Sequence, residues 1–181
     1  MADKYQHKYR ISTTRMQNWD YGWNATYFVT ICTQNRECYF GEISNGVMIL
    51  SEIGEIAHAE WLKTFKIRPD MNLWMGEFVV MPNHFHAIIG IGENQYNTPR
   101  ATPNNAPNAK NQFGPQSKNL ASIIRGFKIG VTTNARKIHA GFAWQSRFHD
   151  HIIRDNRSYE KIKTYIIENP KKWDNDKFHN I

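Results

Sequence analysis

The chain has 181 residues, 40% hydrophobic and 13% aromatic, which suits one globular domain spanning residues 1–181 and excludes a disordered chain. Its 23 Lys and Arg against 16 Asp and Glu leave a formal charge of +7, which favours a polyanionic partner: nucleic acid first, an acidic membrane surface second. The polar, basic start MADKYQHKYR is not a signal peptide, and no apolar run approaches the roughly 18–20 residues that span a bilayer, so no membrane partner is expected.

ATYFVTICTQ (25–34) is β-branched and aromatic and reads as a strand. Cys32 and Cys38 are spaced neither as a redox pair nor as a zinc knuckle, and imply a reduced, cytoplasmic protein. Asn45-Gly46, inside GEISNGVMILS, marks a hairpin turn. A helix follows from its cap Ser51, with Ile53, Ile56, Ala57 and Trp61 as an apolar stripe, and ends before Pro69. NLWMGEFVVM and HFHAIIGI are two further strands joined at Pro82-Asn83. Residues 93–118 hold four of the seven prolines and few aliphatics, the composition of an exposed, mobile loop.

Residues 119–140 form a long helix with Leu120, Ile124, Phe127, Val131 and Ile138 on one side. Arg125, Lys128, Thr132 and Arg136 share another side, either a phosphate-tracking stripe or a solvated face. Gly126 and Gly130 each cost about 1 kcal/mol against alanine, a cost that makes sense where something approaches the backbone closely. FHDHIIR (148–154) is a strand. Ser158 caps a last helix, YEKIKTYIIEN, which stops at Asn169-Pro170 because a residue before proline is pushed out of the α region. Strands paired through hairpins and interleaved with helices imply an α+β domain, an antiparallel sheet with helices packed on it.

His84 and His86 stand two apart in a strand, so both imidazoles face one side and Phe85 the other. That suits two ligands of one divalent metal, although two histidines with no role fit the same spacing. On the last helix Tyr165 and Asn169 stand at i and i+4 on one face. An amide oxygen from Asn169 would be a third, hard ligand, leaving positions open for phosphate oxygens, which suits Mg²⁺ or Mn²⁺. Tyr165 would then lie beside a metal-held phosphate; the bland alternative is an amphipathic helix residue covering the core. The His149 and His151 pair is a rival metal site, or His151 lines the same cleft.

VVMPNHFHAIIGI, LASIIRGFK, WQSRFHDHIIR and YEKIKTYIIENPKKW, in that order, resemble the REP-associated tyrosine transposases. These are single-tyrosine transposases of small insertion sequences, within the HUH endonuclease superfamily, and the resemblance covers roughly residues 20–175. It implies a ferredoxin-like core, a central antiparallel sheet with helices on it, and a C-terminal helix carrying the catalytic tyrosine. It puts the histidine–hydrophobic–histidine motif on His84, Phe85 and His86, the nucleophile on Tyr165 and the later polar metal ligand on Asn169. The implied activity is metal-dependent cleavage and strand transfer of single-stranded DNA beside hairpins, through a covalent 5′-phosphotyrosine. The alternative is a non-catalytic binder of structured nucleic acid on the same fold.

Arg125, Lys128, Arg136, Arg147 and His151 are the residues expected to hold DNA, with weaker contributions near the N-terminus from Arg10, Arg15, Trp19, Tyr21 and Trp23. A monomer is favoured over a dimer.

Overall fold

The computed structural model describes Met16, residues 19–97 and residues 117–179. Arg10, Arg15 and residues 98–116 of the proline-bearing stretch lie outside the described residues. The elements run β1 (Ala25–Cys32), β2 (Gly41–Ser44), β3 (Val47–Leu50), α1 (Glu52–Lys66), β4 (Leu73–Met81), β5 (His84–Ile91), α2 (Leu120–Ala135), β6 (His149–Ile153) and α3 (Asn156–Glu168). No described helix is long and apolar enough to cross a membrane.

Four strands form one sheet in the order β4-β5-β1-β6, with every neighbouring pair antiparallel. β2 and β3 form a separate hairpin whose turn, Asn45 and Gly46, takes the left-handed backbone of a two-residue hairpin loop. With that hairpin set aside, β1-α1-β4-β5-α2-β6 is the β-α-β-β-α-β order of a ferredoxin-like core, as the sequence led us to expect.

Every residue of β5 is buried, so both of its faces are covered. Phe85, Ala87, Ile89 and Ile91 project to one face and pack with Tyr27, Val29 and Ile31 of β1 against Trp61 of α1 and Phe127 of α2. Each such large apolar side chain contributes roughly 1.5–3 kcal/mol by leaving water. On the other face Ile88 packs with Ile153 of β6 and Ile166 of α3. The domain is thus three layers: α1 and α2, the sheet, then α3. β4 shifts register between Met75 and Phe78, and Glu77 in that irregularity reaches α3. It accepts the Tyr159 hydroxyl at 3.2 Å and pairs with Lys163 at 3.3 Å.

The glycines of α2 have their explanation in α1 and the chain just after it. A Cβ at Gly126 would meet the Arg68 guanidinium, and one at Gly130 would meet the Glu60 carboxylate.

Three boundaries differ from the sequence reading. α2 ends at Ala135, because the Arg136 Nε donates to the Phe142 carbonyl at 3.0 Å and the chain turns there; Ile138 is left 44% exposed. α3 is capped by Asp155, not Ser158. The Asp155 carboxylate accepts the Ser158 N–H at 2.8 Å and the Ser158 hydroxyl at 3.1 Å, since a cap serves the N–H three residues on. Asn169 keeps α backbone (φ −55°, ψ −44°) despite Pro170, and the chain runs directly into a 3-10 turn, Pro170–Asn175. Its buried side chain is held by Asp176 at 3.1 Å, which outweighs the bias that a following proline imposes.

Gly54, inside α1, faces the Phe40 carbonyl, which is pinned by the Ser51 N–H at 2.8 Å. Gly54→Ala should therefore lower stability by about 1–3 kcal/mol, although alanine is the better helix former. Urea unfolding of the two proteins checks this; a higher midpoint in the variant would contradict the close approach.

Candidate active site

The two histidines of β5 lie on the α3 face, with ring centroids 4.5 Å apart, and both are buried. Phe85 between them points to the opposite layer, as strand alternation requires. Each ring is held from behind. Asn83 donates its amide to the Phe178 carbonyl at 2.9 Å, so its oxygen faces His84 Nδ1 at 2.9 Å. An oxygen there can only accept, so Nδ1 carries the proton and Nε2 carries the lone pair. That Nε2 is buried with no hydrogen-bond partner. His86 Nδ1 meets the Thr30 hydroxyl at 2.9 Å, and its Nε2 faces the Tyr165 hydroxyl at 3.1 Å.

α3 brings the second half. Ile166 anchors the helix on the sheet. Tyr165 and Asn169, one turn apart, descend beside the histidines. Asn169 gives its amide to Asp176, and its carbonyl oxygen is buried without a partner. Asp176 is the residue that sequence reasoning missed. It lies beyond the 3-10 turn, accepts the Phe178 N–H at 2.7 Å, and places a carboxylate oxygen with nitrogens of His84 and His86, all within 4.8 Å of one another. A carboxylate in the run DNDK has no local signal that separates it from solvated neighbours.

The electrostatics match a cation site. Burial, then the neighbouring His86 and Arg36 charge, holds His84 well below the ordinary histidine range. Burial, then Lys177 and His149, brings His86 down to about 3. Both rings are therefore neutral at neutral pH and keep lone pairs. Burial and the Asp176 charge push the Tyr165 phenol above its ordinary value. Two neutral imidazoles, that of His84 with its Nε2 unpartnered, the unpartnered Asn169 Oδ1 and the Asp176 carboxylate fit one divalent ion.

The site opens into a cleft of about 910 Å³ between α3, the sheet and the chain after α2. Arg147 lines it, together with Arg36, Lys172 and Lys177. His151 shares the sheet face but lines a neighbouring hollow with Tyr21 and Arg154; it is His149 that lines the cleft. Among the described residues neither joins a convergent group of metal-ligating side chains. Arg125, Lys128 and Arg136 belong to α2 and its end, across the sheet from the histidines. Lys128 donates to the Gln145 carbonyl and Arg136 to that of Phe142, so two of the three brace the chain after α2. Tyr159 is held by Glu77 at the β4 edge. Trp19 and Trp23 stack edge-on at 5.1 Å, and Tyr21 stacks on the buried Tyr27.

The histidine shifts set a sign for pH dependence. An unfolded histidine takes up a proton near its ordinary value of about 6.5, whereas folded His86 does so only near 3. Between those values the unfolded chain binds more protons, so stability falls as pH falls, by up to about 1.4 kcal/mol per unit for each such ring. Chemical unfolding in chelator from pH 6.5 to 4 should show this slope, and His86→Gln should remove one ring's share. Equal slopes would contradict the buried, neutral state of His86.

No family model matches the chain. An uncharacterized protein of Haemophilus influenzae is 40% identical over 172 residues, covering 91% of each chain. Among solved structures, a REP-associated tyrosine transposase bound to a REP hairpin aligns with TM-score 0.58 and 21% identity, over 90% of this chain and 74% of that one. The chain thus belongs to one family with the Haemophilus influenzae protein, and its fold is that of the REP-associated tyrosine transposase.

Proposed function

We propose that the protein is a metal-dependent single-stranded-DNA endonuclease and strand transferase, acting beside hairpins through Tyr165. The observation that carries this reading is the Tyr165 hydroxyl, 3.1 Å from His86 Nε2, in a site where His84 Nε2 and Asn169 Oδ1 are buried without partners. The fold shared with a transposase structure that holds a REP hairpin supports the substrate class.

His84, His86 and Asn169, with Asp176, would hold Mg²⁺ or Mn²⁺. When bound, such an ion supplies positive charge that polarises a phosphate and favours the phenolate. Tyr165 is partly exposed at 37%, so its oxygen can meet a strand lying in the cleft while its ring packs edge-on to Phe28. The oxygen attacks phosphorus and a Tyr–O–P bond forms. The P–O bond to the 3′ oxygen breaks, that oxygen takes up a proton, and the phenol proton leaves to the water of the open cleft. The reverse attack by another 3′ hydroxyl completes strand transfer. Asn83 and Thr30 hold the imidazoles in place throughout. Arg147 and Lys177 carry the single strand along the cleft, with Lys172 beside its partner Glu168 at its wall. Arg125, exposed on α2, is the member of the basic stripe most available to a duplex, with His151 flanking the neighbouring hollow.

Tyr165→Phe keeps the ring and should fold, bind hairpin DNA and bind Mn²⁺, yet form no covalent adduct with a labelled single-stranded hairpin on a denaturing gel. An adduct in this variant would remove Tyr165 as nucleophile. Cleavage without an adduct in the wild type would point to water, and binding without any cleavage would point to a non-catalytic binder. His84→Ala or His86→Ala should abolish Mn²⁺-dependent cleavage and leave hairpin affinity nearly unchanged, because phosphate contacts position the DNA without the metal.

The basic residues are separated by salt. Arg147→Gln should lower the slope of log affinity against log salt by about 0.7, and Arg125→Gln by about 0.9 if it meets a duplex. Lys128→Gln should instead reduce thermal stability, since its ammonium braces the Gln145 carbonyl. A large slope change from Lys128 with unchanged stability would reverse that assignment.

A further inference from the structure

Arg36 sits at the mouth of the candidate site in an unusual backbone setting. It and Asn35 both adopt left-handed conformations, with φ of 60° and 53°. Asparagine tolerates this region; arginine rarely enters it, and glycine would occupy the position without strain. The turn is held from both sides: the Thr33 hydroxyl donates to the Glu37 carbonyl at 2.8 Å and the Arg36 N–H donates to the Thr33 carbonyl at 3.3 Å. The result is a guanidinium carried into the cleft that Tyr165, His86 and Asn169 also line.

The guanidinium's own contacts are one-sided. Its Cζ lies over the Phe178 ring, 4.3 Å from the centroid, and that ring's centroid is 4.6 Å from the His84 ring. Stacking on an aromatic uses the face and leaves the in-plane N–H donors for another partner. One terminal nitrogen is buried with no hydrogen-bond partner, and among the described residues Arg36 forms no ion pair. Lys172, on the same cleft, is paired with Glu168 at 2.5 Å. A strained, aromatic-backed, unpaired guanidinium one ring from a histidine pair has the character of a planar fork awaiting an oxyanion.

We propose that Arg36 binds the phosphate that Tyr165 attacks, taking a non-bridging oxygen on the side away from the histidines and neutralising the charge that builds there. This rests on the proposed chemistry of the site. Phe178 acts as a positioning residue that fixes the plane of the fork.

The test compares wild type, Arg36→Gln and Arg36→Lys in single-turnover adduct formation on a hairpin oligonucleotide with Mn²⁺. The scissile linkage is either a normal phosphate or an uncharged methylphosphonate. Arg36→Gln should slow the normal substrate at least a hundredfold while Mn²⁺ affinity stays unchanged, and Arg36→Lys should recover about tenfold of that loss. The penalty for the uncharged linkage should shrink in Arg36→Gln, because the charge and its partner are lost together; a merely structural role would leave that ratio unmoved. A rate within threefold of wild type, or an unchanged ratio, would overturn the proposal. Where Arg36→Gln does not fold, Arg36→Lys decides alone: a tenfold loss supports the fork, and a rate equal to wild type overturns it. If wild type forms no adduct, the proposed chemistry fails by itself. Arg36 is then judged by binding: Arg36→Gln should reduce the salt slope for a short single strand by about 0.7, and an unchanged slope overturns the assignment.

Discussion

Burying two imidazoles on β5 is the constraint around which the molecule is arranged. A central strand must satisfy what it buries, and an imidazole in a dry layer is tolerated only when neutral and hydrogen-bonded. Asn83 and Thr30 meet that requirement from behind, one nitrogen each. The front nitrogens are left to Tyr165 at His86 and to nothing at His84. The same backbone alternation that creates this polar face drives Phe85, Ala87, Ile89 and Ile91 into the apolar layer opposite. The site and the core are two sides of one strand, so disturbing either is felt in the other.

α3 completes the site from outside the ferredoxin-like core. Its amphipathic face is small, with Ile166 as its one fully buried residue, and its placement depends on polar ties as much as on apolar contact. Glu77 on the edge strand takes Tyr159 and Lys163, which sets the helix against the sheet near its start. Asp176 takes Asn169 near its end. Between those two ties Tyr165 is held over the sheet yet remains open to the cleft, as the proposed attack on a DNA strand requires.

The opposite layer is scaffold. α1 and α2 pack closely through the glycines of α2, and the basic residues of α2 divide between bracing and exposure. Lys128 and Arg136 hold the chain that leads to Arg147 and β6, so part of the positive charge legible as a DNA-tracking stripe has an architectural task. Charge drawn from three separate segments, at Arg36, at Arg147, and at Lys172 with Lys177, gathers instead where the cleft opens. For the proposed DNA cleavage, the basic residues that count are those that share a wall with Tyr165.

Periodicity determined what is local. The same-side placement of His84 and His86, the facing away of Phe85, the pairing of Tyr165 with Asn169 at one helical turn, and the strand and helix order behind an α+β domain all follow from repeats of two and 3.6. The element ends were less legible, because caps and turns depend on single hydrogen bonds: Asp155 for Ser158, and Arg136 stopping α2 short of Ile138. Only the tertiary structure decided that Asp176 joins the histidines, that Arg36 enters the cleft while Arg125 lies across the sheet, and that His149 rather than His151 lines the site. Those placements depend on strand order and on how the chain folds back after α3. The physical reason is that convergence of residues far apart in sequence is set by the packing of whole layers, and no local spacing encodes which wall of a cleft a loop residue will join.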